Sequence, residues 1–72
     1  EMVLGAGAAG HTVADLEIEG GLRVAAVQRQ GSVLIPGSSD PLQPGDLVAA
    51  AARRGVAHRV RRYLAVEDGG ES

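Results

Sequence analysis

The residues whose spacing most suggests chemistry are Gly5-Ala6-Gly7-Ala8-Ala9-Gly10, a G-x-G-x-x-G run between an apolar stretch and a helix-start signal. In a dinucleotide-binding unit such glycines let the backbone approach a pyrophosphate at a helix N-terminus. Leu22 to Val27 resembles the second strand of that unit, and Arg29 stands where a 2′-phosphate would need a cation. Three features oppose this. The intervening helix is two turns at best and ends at Gly20-Gly21. A hairpin signal at Gln30-Gly31 follows, where the unit requires a crossover to a parallel strand. The remaining length cannot complete the sheet. A truncated nucleotide-binding fragment therefore ranks last among the readings.

Other chemistry is thinner. His11 and His58 are the only histidines, neither belongs to an H-x-x-x-H pair, and cysteine is absent, so no metal site is expected. The serines show no nucleophile elbow. Asp40 and Asp46 sit in turn sequence, where capping and Asx turns account for them. No catalytic residue is expected. Arg53, Arg54, Arg59, Arg61 and Arg62 place five of the seven basic residues within ten positions. That pattern suits the solvated side of a helix, or else an anion or acidic partner. Without interleaved aromatics, and at a formal net charge of −2, it does not suit a nucleic-acid polymer. Arg29 ends an apolar strand at a hairpin mouth. Its residue type fits two roles equally, a cross-strand or turn salt bridge and a fixed anion contact.

The elements that must position these residues follow from pattern. Met2-Val3-Leu4 is a short strand. Thr12 with Asp15 forms a capping box for a helix that buries Val13 and Leu16. Leu22–Arg29 and Ser32–Ile35 form a hairpin around Gln30-Gly31, and simple alternation points Leu22, Val24 and Ala26 one way and Ala25 and Val27 the other. Residues 36–46 form a loop with Pro44-Gly45 in a type II turn and Leu42 plugging the core. Leu47–Ala52 is a further strand. Val56, Val60, Tyr63 and Leu64 make one stripe of a final α-helix. The predicted organisation is an α+β domain over residues 1–66 with a flexible acidic tail at 67–72.

Seventy-two residues with twelve alanines and one aromatic side chain make a thin core. Two short helices can cover one face of the sheet, and the strands are apolar on both. The uncovered face predicts a dimer. No run is long enough to span a membrane, which needs about 20 apolar residues, so a soluble, cytoplasmic chain is expected, cut from a longer protein.

Four phrases stand in register: Gly10-His11-Thr12-Val13-Ala14-Asp15-Leu16, Val24 to Gly31, Val33-Leu34-Ile35-Pro36, and Leu42-Gln43-Pro44-Gly45-Asp46-Leu47-Val48. Together they resemble the TrkA-C, or RCK C-terminal, domain family of potassium channels, potassium transporters and cation/proton antiporters. Ala49 to Ala52 depart from the larger aliphatics the family prefers. The resemblance implies a β-α-β-β-β-α domain with helices on one face, paired about a two-fold axis and without chemistry of its own. It implies attachment to a membrane transporter or channel subunit at the inner face of the membrane. It also implies a small ligand in the dimer cleft, cyclic di-AMP in several relatives. Carried onto this chain, Val24, Val33, Leu34, Ile35 and Pro36 would form the apolar platform, with Arg29 and Gln30 toward phosphate. A purely structural dimerisation module with an empty cleft is the alternative.

Overall fold

The computed structural model describes residues 1–65. The acidic tail expected at 67–72 lies outside the described residues, as does residue 66. Four strands, β1 (Met2–Val3), β2 (Leu22–Arg29), β3 (Ser32–Leu34) and β4 (Leu47–Ala52), form one sheet in the order β1-β4-β2-β3. Every pairing among them is antiparallel. Between β1 and β2 lie a 3-10 turn, Ala6–Ala8, and the single helical turn α1, Val13–Leu16. A 3-10 helix, Ala57–Tyr63, follows β4. The order of elements agrees with the sequence pattern, and the fold is α+β.

One face of the sheet carries the core. Leu22, Val24, Val27 and Val48 pack there beneath Leu4, Val13, Leu16, Leu42, Val60 and Tyr63. Leu4, Leu16, Val27, Val48 and Val60 are all at or below 2% exposure, each worth roughly 1.5–3 kcal/mol of burial. The capping box at α1 closes, with the Thr12 N–H donating to the Asp15 carboxylate at 3.0 Å.

Two sequence expectations are corrected. Strict alternation grouped Ala26 with Val24 and set Val27 against them. A bulge between Val24 and Ala26 instead returns Val27 to the core face beside Val24, and puts Ala26 on the other side. One extra residue in one strand inverts all that follows it. The last element is also not the expected α-helix. It has no side-chain N-cap and winds as a 3-10 helix. At three residues per turn, Val60 and Tyr63 fall on one line and are buried. Leu64 then turns extended and bridges Leu4.

The opposite face has no helix over it among the described residues. Val3 pairs with Leu47, Leu47 with Gln28, and Gln28 with Val33. The four make one row across all four strands, with Val3 50% and Val33 67% exposed.

Candidate functional site

The hairpin that carries most of the predicted site is tight. Arg29 pairs with Ser32, and the two residues between them take positive φ, Gln30 at 51° and Gly31 at 82°. That is the type I′ geometry whose twist matches the flanking strands. The turn before β4 is equally specific. The Asp46 N–H donates to the Gln43 carbonyl at 3.1 Å and Gly45 has φ 93°, as a type II turn around Pro44-Gly45 requires.

These two turns bring Arg29 and Asp46 together. Arg29 donates from Nε to Asp46 Oδ1 at 2.8 Å and from Nη2 to Oδ2 at 2.7 Å, a bidentate pair. A further bond runs from Nη2 to the Pro41 carbonyl at 3.1 Å. Asp46 is 1% exposed and also accepts the Gln43 N–H at 3.0 Å. The Arg29 hydrogen bonds hold the Asp46 carboxyl below the ordinary carboxylate range against the opposing effect of burial. In return Asp46 pushes the Arg29 guanidinium further toward its charged form. The salt-bridge role foreseen for Arg29 is thus present, with Asp46 as its partner. Sequence reading missed Asp46 because Pro-Gly-Asp explains itself as a turn. The available signal was an acid beginning an apolar strand, where burial demands a cation.

Beside this pair lies a cavity of about 180 Å³ lined by Val13, Val27, Arg29, Leu34, Pro36, Asp40 and Pro41. Three of the predicted ligand residues, Arg29, Leu34 and Pro36, meet in it. The others are dispersed. Val24 is a core residue at 9% exposure, Val33 lies on the open face, and Ile35 is 81% exposed beyond the end of β3. Gln30 is at the hairpin apex. Alternation within β3 puts Val33 and Leu34 on opposite sides, so within one chain they do not form a continuous platform. The cavity wall is electrostatically mixed, since Asp40 faces it and donors of Arg29 are already engaged.

The glycine-rich run has a structural explanation. A Cβ at Gly7 would overlap the Arg62 carbonyl oxygen, and one at Gly5 would sit 2.8 Å from Ala65 Cα and 2.9 Å from the Leu64 oxygen. Gly5 N–H donates to Tyr63 O at 2.9 Å and Ala65 N–H to Val3 O at 2.8 Å. The close approach these glycines allow is taken by the chain's own C-terminal segment. No parallel strand pair exists among the described residues to build the nucleotide unit.

The remaining polar residues serve local structure. His11 lies 3.1 Å from the Asp15 carboxylate and edge-on to Tyr63, with ring centroids 5.0 Å apart. Asp15 is held below its ordinary pKa, chiefly by the Thr12 N–H and then by His11. Glu17 accepts the Val24 N–H at 2.9 Å on the edge of β2 that β3 does not reach. No group of three His, Cys, Asp or Glu side chains gathers among the described residues. Arg53 donates to the Gly20 carbonyl, and Arg62 lies 5.7 Å from the Tyr63 ring centre.

A family model described as the TrkA-C domain matches residues 1–65. The Trk system potassium uptake protein TrkA of Streptomyces coelicolor is 41% identical over 64 residues, covering 85% of this chain and 29% of that protein. The chain therefore spans under a third of that relative's length. No solved structure matches it.

Proposed function

The chain belongs to the TrkA-C domain family, and from that membership we propose that it is a non-catalytic regulatory module of a potassium transport system. It works as a homodimer and senses a small ligand, for which cyclic di-AMP is the first candidate. The working place of such a module is the cytoplasmic side of the membrane, against a transporter subunit. No helix among the described residues is long and apolar enough to cross a membrane itself.

The observation that carries this reading is the row Val3, Leu47, Gln28 and Val33 across an uncovered sheet face. A small domain that leaves such a face to water forgoes burial it can ill spare, and a second copy supplies it. Pairing also supplies what one chain lacks as a ligand site. The cavity at Arg29, Leu34 and Pro36 is small, and Ile35 and Val33 stand outside it, so a ligand held by all of them would have to lie between two copies. A ligand changes the arrangement of the pair only through a difference in affinity between two arrangements.

Calorimetric titration of the purified protein with cyclic di-AMP tests the sensing role. Saturable heat and a raised melting temperature are expected; neither appearing would reject this ligand. The structural alternative, a pairing module with an empty cleft, is favoured by one specific observation. Arg29, the cation nearest the cavity, already has its charge met by Asp46. A dimer that forms normally, binds no cyclic di-AMP and sustains transport regulation without it would establish that alternative.

A further inference from the structure

A second cavity lies at the other end of β2 from Arg29. It measures about 310 Å³, and its walls are largely apolar: Leu22, Ala50, Ala52, Val56 and Val60 among others. Its origin is legible in the strand register. Val27 faces Val48 across the sheet, and that row is filled and buried. The next rows on the same face pair Val24 with Ala50 and Leu22 with Ala52. A methyl group at each of these two β4 positions leaves the space beneath the C-terminal 3-10 helix unfilled. The space opens to solvent beside the 3-10 helix, so it is an apolar groove that a ligand can enter and not an enclosed void. Apolar cavities of about 150 Å³ take up benzene, so this one has room for an alkyl chain of about eight carbons.

The mouth is charged. β4 ends in Ala52 and the chain turns through Arg53-Arg54-Gly55, all three of which line the cavity. Arg53 is anchored by its bond to the Gly20 carbonyl, which fixes one guanidinium at the lip. Arg54 is exposed beside it. Among the described residues that line it, Glu1 is the one acid beside the two arginines, Arg53 and Arg54. An apolar interior with a cationic rim is complementary to a molecule with an alkyl tail and one negative charge.

We propose that this cavity binds a small amphipathic monoanion, a medium-chain carboxylate, with its tail against Ala50, Ala52 and Val60 and its carboxylate at Arg53 and Arg54. The apolar lining of the site lies on the core side of the sheet, opposite the proposed dimer face, and Glu1 borders both. The site arises from the alanines of β4.

The test compares octanoate, 1-octanol and octylammonium as thermal-shift and calorimetric probes of the purified protein at matched ionic strength. Octanoate at about ten times its dissociation constant should raise the melting temperature by about 5 °C or more, with 1-octanol weaker and octylammonium weakest. Ala50→Leu should partly fill the cavity and weaken octanoate binding severalfold. Ala52→Val does the same by a smaller insertion should the leucine not be accommodated. Arg54→Gln should remove the preference of octanoate over 1-octanol. No shift with octanoate, equal shifts with all three probes, or undiminished binding in both filled variants would each overturn the proposal.

Discussion

At 1% exposure, the Asp46 carboxylate depends entirely on what surrounds it: the two Arg29 bonds and the Gln43 N–H. Removing one side of such a pair strands a charge, which costs more than the pair itself contributes. Asp46→Asn should lower stability by about 2–4 kcal/mol in denaturant titration. Its pH dependence has a definite direction. The native carboxyl titrates below its unfolded value of about 3.9, so its contribution is complete above that value and is lost as pH falls through the lower, native one. The wild-type chain should therefore lose stability in acid more steeply than Asp46→Asn. A stability difference between the two that stayed constant from neutral pH to about pH 2 would contradict this assignment. The same pair decides how Arg29 is to be probed. Arg29→Ala alone leaves Asp46 buried and unpaired, so loss of ligand response would carry no information about contact. The double variant Arg29→Ala with Asp46→Ala strands neither charge. If it folds and still fails to bind a ligand that wild type binds, Arg29 meets that ligand. Gly7 is governed by space. Gly7→Ala should cost at least about 2 kcal/mol, because the Arg62 carbonyl occupies the position of the new methyl. A neutral effect in thermal unfolding would refute the packing account of the glycine run.

At the scale of elements, the β2–β3 hairpin joins a favourable turn type to an unfavourable residue. Gln30 holds φ 51° where Asn is preferred. Gln30→Asn should raise stability by about 0.5–1 kcal/mol, read as a later denaturant midpoint with unchanged slope. The turns were the most legible elements in the sequence, since Gln30-Gly31 and Pro44-Gly45 carry their own conformational demands. The capping box at Thr12 and Asp15 was equally plain, as was the burial of Val13, Leu16 and Leu42. What stayed hidden depended on partners far along the chain. The bulge that brings Val27 back to the core has no local signature in Val24-Ala25-Ala26-Val27. The 3-10 winding of Ala57–Tyr63 buries Val60 and Tyr63 and leaves Val56 and Leu64, at its two ends, partly buried against the core. The dispersal of Val24, Val33 and Leu34 follows from strand alternation plus that bulge. A resemblance carried residue by residue does not contain either.

For the whole molecule, the division into a covered and an open face governs everything else. α1 and the two 3-10 segments lie with the core on one side, while Val3, Gln28, Val33 and Leu47 lie on the other. The open face is the ground on which pairing is proposed, and a pair would bring Val33 and Ile35 together with Arg29 and Leu34, from which one copy keeps them apart. Sedimentation velocity over a wide concentration range, on wild type and on Val33→Glu, tests this most directly. The account predicts a dimer for wild type, and a shift to folded monomer when a charge replaces this exposed apolar residue of that face. A wild-type chain that stays a stable monomer at the highest concentration, or a Val33→Glu dimer as tight as wild type, would contradict it.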